Sequence, residues 1–162
     1  MTASVPAESN GESQPGKPLS KSKPQTKRKS GKLSFPRSGR LLRHADFERV
    51  YKQGRRHFSP SMTVFYWQRD DDAARGMRVG FTVSRALGGA VERNRMRRRL
   101  REAVRLTNPK PAVDADVVIN PKKAVLTAGF DTLLNEVRQA FVVIERKLKT
   151  ESREAEADSR KQ

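Results

Sequence analysis

The chain has 162 residues, with 35 Lys+Arg against 18 Asp+Glu, a net charge of +17, no cysteine and only 6% aromatic residues. This length suits one domain, and the missing cysteines exclude a disulfide scaffold, a thiolate zinc site and a cysteine nucleophile. No apolar run approaches the roughly 20 residues of a membrane-spanning helix, and the first 32 residues lack the apolar stretch of a secretory signal. The expectation is a cytoplasmic protein with no membrane partner, whose charge calls for a polyanion, nucleic acid first.

Residues 1–40 hold nine Lys/Arg and two Asp/Glu among Ser, Pro and Gly, with almost no large apolar side chains. Such a segment cannot offset its ordering entropy by burial, so residues 1–39 read as a disordered basic tail. A folded part is expected over 40–149, and 150–162, charged and without an apolar face, is expected to fray. Within the folded part, Phe47, Val50 and Tyr51 lie at i, i+3, i+4 and predict a short helix over 44–53, stopped by Gly54. The β-branched and aromatic run 61–68 predicts a strand. Residues 69–76 predict a hairpin loop, followed by an alternating strand over 77–85. A helix is predicted over 90–106, a short buried strand over 116–120 and an amphipathic helix over 129–148. The order α-β-β-α-β-α is that of an α/β (α+β) two-layer sandwich.

The segment 90–105, AVERNRMRRRLREAVR, carries most of the information. Met96, Leu100, Ala103 and Val104 form one apolar stripe, while Asn94, Arg98, Arg101 and Arg105 fall on the opposite face at 100° per residue. Arg93 and Arg97 flank the stripe on one side, Arg95 and Arg99 on the other. Seven arginines and one Glu between 93 and 105 give net +6, which a solvated, salt-bridged surface helix does not explain. Arginine forks bind phosphate bidentately and stack on bases, so the helix reads as one laid along an RNA or DNA backbone.

A second set is aromatic: Phe47 and Tyr51 one helical turn apart, with Phe65 and Phe81 on strands taken as adjacent. Rings beside arginines suit unstacked nucleotides, but in a small domain they equally suit the core. His44 and His57 have neither helical pairing nor cysteine partners, so no metal site is expected in the protein. The acids Asp70, Asp71 and Asp72 are contiguous on a predicted loop, unlike the converging carboxylates of a two-metal nuclease. No phosphate loop or nucleophile elbow occurs, and no catalytic residue is expected.

The run VGFTVSRALGGAVERNRMRRRLREAVR, with R-L…D-F…V-Y…G at 40–54 and D-V-V-I at 116–119, resembles the bacterial ribonuclease P protein component over about residues 40–149. The resemblance implies the protein subunit of a ribonucleoprotein endoribonuclease that removes the 5′ leader of precursor tRNA. The catalytic centre and the magnesium ions would then belong to the RNA subunit. It implies that Arg93, Asn94, Arg95, Arg97, Arg98, Arg101 and Arg105 meet the catalytic RNA. Phe47, Tyr51, Phe65, Phe81, Ser84 and Arg85 would meet the single-stranded leader. The partners implied are the catalytic RNA and precursor tRNA, with no obligatory protein partner. A left-handed βαβ crossover through the arginine helix is implied too, against the general right-handed rule. Where the family often has two lysines after V-S, this chain has Arg85 and Ala86, and after the third strand it has Asn120 where many members have Arg. A ribosomal-type or RNA-chaperone module is the alternative, ahead of a DNA-binding architectural protein and a protein nuclease.

Overall fold

The computed structural model describes residues 35–70, 75–107 and 113–161. Helix α1 spans His44–Gln53, as its apolar spacing predicts. Strands follow at Arg55–Phe58 (β1), Met62–Gln68 (β2) and Met77–Phe81 (β3). Then come helix α2 (Ala90–Thr107), strand β4 (Ala115–Pro121), the short helix α3 (Ala124–Thr127) and the long helix α4 (Phe130–Ser159).

The sheet order is β1-β2-β4-β3. β1 and β4 pair antiparallel with β2, while β3 pairs parallel with β4, so α2 is the crossover between the parallel strands. This corrects the expected order in two ways. β1 and α3 are additional elements, and β2 and β3 do not form a hairpin, because β4 lies between them. The strand expected to reach residue 85 ends at Phe81, and a 3-10 turn occupies Arg85–Leu87.

Alternation assigns the two faces of the sheet. Met62, Val64, Tyr66, Val79, Val117 and Ile119 face α2 and α4, burying Met96, Leu100, Val104, Leu133, Val137 and Ile144 in one continuous core. Each fully buried aliphatic side chain of this size contributes about 1.5–3 kcal/mol relative to exposure. On the other face a smaller cluster joins Leu41 and Val50 to Val118, with Phe47, Phe65 and Trp67 packed against it. Helices therefore lie on both faces, and α1 adds a partial third layer to the expected two.

Both ends of the fold extend past the boundaries expected from composition. Phe35 is only 8% exposed and belongs to the main core. Its carbonyl accepts from Nε and Nη2 of Arg40 at 3.2 and 2.8 Å. Leu41 then runs beside β3, its N–H donating to the carbonyl of Val79 at 3.1 Å. Residues 1–34 of the expected tail lie outside the described residues. At the other end α4 stays helical to Ser159 instead of fraying after 149. Glu151 pairs with Arg55 of β1, and Ser152 Oγ accepts from Nε2 of Gln68 at 2.9 Å. Charges that found no apolar face in the sequence find polar partners on β1 and β2.

Candidate nucleic-acid interface

The apolar stripe of α2 is buried as predicted, which fixes the rotation of the helix and hence which arginines reach solvent. Asn94, Arg95, Arg98 and Arg101 are exposed, and Arg93, Arg97 and Arg105 are half-buried. Arg97 Nη1 donates to Asn94 Oδ1 at 3.2 Å. Arg105 Nε donates to Glu102 Oε2 at 2.8 Å, and that bond raises the arginine's already high pKa. Glu92 suits the positive end of the helix dipole, and its Oε2 accepts from the N–H of Gly89 at 2.9 Å. Arg99 has a structural task. Its Nη1 donates to the carbonyls of Val125 and Leu126 at 2.7 and 2.9 Å, and its Nη2 donates to that of Ala128. It ties α2 to the end of α3, where carbonyls lack helical partners.

On the opposite face of the sheet, Phe47, Tyr51 and Phe65 come together. Tyr51 meets the Phe65 ring edge-on, with centroids 4.9 Å apart and planes at 70°. Tyr51 Oη donates to Asn120 Oδ1 at 2.8 Å, bridging α1 to the end of β4. Phe47 lies over Gly80, where an added Cβ would stand 2.5 Å from the ring's Cζ. Gly80 is therefore the recess that seats the Phe47 ring. Arg56 lies over Phe65 and Arg49 over Trp67, at 5.5 and 5.2 Å from the ring centroids, within cation–π reach.

Phe81 does not join this group. It pairs with Ile119 in register and packs against the main core, on the α2/α4 side. Phe65 pairs with Val118 and Phe81 with Ile119, successive residues of β4 that alternate, so the two rings point to opposite faces and the expected grouping of Phe81 with Phe65 does not hold. Ser84 and Arg85 are exposed just beyond β3, where Ser84 Oγ accepts from the N–H of Ala86 at 3.2 Å. The nearby Thr82 N–H donates to the Ile119 carbonyl, so this turn stands at the Asn120 end of the sheet.

Sequence reasoning missed Arg49, Arg56, Phe58 and Trp67. Phe65 and Trp67, two residues apart on β2, share one face by alternation, a usable signal for Trp67. β1 gave no alternation to place Arg56 and Phe58. It also missed the buried charges that seat α1. Arg78 donates to Asp116 through Nε (2.7 Å to Oδ1) and Nη2 (2.6 Å to Oδ2), and its Nη1 lies 3.5 Å from Asp46 Oδ2. Arg69 Nε lies 3.2 Å from Asp116 Oδ1, and both of these side chains are fully buried. Asp46, in the first turn of α1, joins the helix to β3 through Arg78.

No group of three or more His, Cys, Asp or Glu is placed to hold a metal ion among the described residues. Asp71 and Asp72 lie outside those residues. His57, half-buried on β1, has its pKa lowered by burial and then by the charge of Lys147. Among the described residues no helix is long and apolar enough to cross a membrane.

The family model for ribonuclease P matches residues 35–145. The ribonuclease P protein component of Ruegeria pomeroyi is 41% identical over 104 residues, covering 62% of this chain and 82% of that protein. That of Gluconacetobacter diazotrophicus is 39% identical over 107 residues, 65% of this chain and 90% of that protein. Among solved structures, the RNase P protein of Staphylococcus aureus superposes with a TM-score of 0.56 at 23% identity, over 65% of this chain and 94% of that one. The RNase P protein from Thermotoga maritima gives 0.55 at 24%, over 63% and 94%. At these identities the structural likeness speaks for the fold.

Proposed function

Because the chain belongs to the ribonuclease P protein family, and so is a protein subunit of the endoribonuclease that matures the 5′ ends of tRNA, we propose that its two faces divide the binding of RNA. The exposed side of α2 holds the catalytic RNA through Arg93, Asn94, Arg95, Arg97, Arg98, Arg101 and Arg105, with Arg95, Arg98 and Arg101 contributing most of the phosphate contacts. The face between α1 and the sheet receives the single-stranded leader of precursor tRNA on Phe47, Tyr51 and Phe65, with Ser84 and Arg85 at its edge.

The observation that carries this reading is the separation of chemistries. Arginines on a helix seated by its apolar stripe suit a folded backbone, and rings flanked by arginine on the other face suit unstacked bases. Only the precursor has a leader, so the second surface distinguishes substrate from mature product. Magnesium would supply the hydrolytic chemistry from the RNA subunit. The protein's own contribution is to bind and orient. A cytoplasmic location and a left-handed β3-α2-β4 crossover belong to the same proposal.

The test is reconstitution with the catalytic RNA at low magnesium. The protein is expected to raise precursor cleavage, and no gain would overturn the reading. The double substitution Arg98→Ala, Arg101→Ala is expected to weaken RNA binding and lower its salt slope by about one for each phosphate no longer neutralised. An unchanged slope would remove the α2 face from the interface.

A further inference from the structure

Phe58 is 67% exposed, the most exposed aromatic side chain on the sheet. A single exposed apolar residue is ordinary on a protein surface, but this one is not isolated. In register Arg56 pairs with Phe65 and Phe58 with Thr63, so Phe58 and Arg56 share the sheet face that carries Phe65. The next pairing joins Thr63 to Asn120, the residue that holds Tyr51. Phe58, Thr63 and Asn120 thus form one row across the open end of this face, with Phe65 in the row behind. The Phe65 ring is already engaged, by Tyr51 at its edge and by Arg56 at 5.5 Å from its centroid. Among the described residues no ring or cation is stacked on Phe58.

Resting on the leader-cleft reading above, we propose that Phe58 is an additional stacking platform on β1. It would take one more leader nucleotide than the Phe47–Tyr51–Phe65 group alone, with Arg56 between the two platforms to meet the intervening phosphate. The occupant is single-stranded RNA because the surroundings are cationic. Arg56 is exposed beside the rings and Arg49 lies over Trp67, while Asp46 and Asp116 are buried and paired with arginine, and the exposed Glu48 of α1 lies 4.0 Å from Lys52. Diagonal neighbours on paired strands stand about 7–8 Å apart, a separation that one sugar-phosphate unit of an extended strand can bridge. Among the described residues no further strand lies beyond β1 to obstruct a base.

The experiment uses the reconstituted holoenzyme and precursor tRNAs whose leaders carry an abasic site at successive positions. Phe58→Ala is expected to weaken precursor affinity about fivefold or more, the lower range for loss of one base–aromatic stack. That loss should vanish at one abasic position, and with leaders too short to reach β1. Phe58→Trp should restore binding. An equal loss at every leader length would mean a structural role and overturn the inference, as would no loss at any length. A change in sedimentation without leader dependence would also overturn it and assign the patch to a second copy of the chain. Phe65→Ala distinguishes the two levels of the argument. If it weakens precursor binding and Phe58→Ala does not, only the extra platform falls. If neither does, the leader-cleft reading falls as well.

Discussion

On the α2/α4 side of the sheet, Met62, Val64, Tyr66, Val79, Val117 and Ile119 are buried against two long helices without a charged group among them. On the α1 side Leu41, Val50 and Val118 are the buried apolar cluster among the described residues, and the helix is seated by Asp46, Arg78, Asp116 and Arg69. The first side is closed by area and shape. The second is held at one end by fixed charges, which leaves Phe58, Phe65 and Tyr51 open at the other. A face proposed to receive the leader cannot be filled with apolar packing. Directional ion pairs position its helix while covering little of it.

The sharpest way to break this contrast is Asp116→Ala. Removing the carboxylate leaves the Arg69 and Arg78 guanidiniums facing each other, and a loss of about 3–5 kcal/mol is expected. Denaturant unfolding of the full chain measures it. A loss below about 1 kcal/mol would mean that the few apolar contacts of α1 suffice. Next comes Gly80→Ala, whose methyl would press on the Phe47 ring. Overpacking of this kind costs about 1–3 kcal/mol, and the displaced ring should reduce holoenzyme affinity for precursor more than for mature tRNA. Equal losses for both would place Phe47 outside the leader path. The smallest effect sharpens the description of α2. Arg99→Ala should cost about 1 kcal/mol of stability by releasing three carbonyls, whereas Arg98→Ala should change stability by less than about 0.5 kcal/mol. Reversed values would exchange their structural and binding roles.

Helices α1, α2 and α4 and strand β2 were legible because each repeats its apolar residues at the period of its own geometry. β1 was not. Arg55, Arg56 and His57 show no alternation, and the segment is a strand because β2 lies beside it. Phe81 was assigned to the wrong group for a related reason. Alternation gives the face of a strand only relative to itself, and pairing decides which strands share that face. The arginine stripe was read at the right rotation, yet charge alone could not separate Arg99, bound to the end of α3, from Arg98, which points to solvent. Asp116 appeared as one acid opening a buried strand. Its partners come from residues 69 and 78, on other segments, and no local spacing announces them.

The position of β4 between β2 and β3 has a kinetic consequence. β1 and β2 can pair as soon as both are synthesised, but β2 and β3 have no partner for their facing edges until residues 115–121 arrive. During synthesis the arginines of α2 therefore emerge before the strand that closes the core on which their helix packs. Non-local pairing of this kind is slow, and mutual repulsion along residues 93–105 opposes early helix formation. A polyanion present at that stage would relieve the repulsion and, by binding the folded form, draw the chain toward it. The RNA that the finished helix is proposed to grip would then also act as a counterion during its folding.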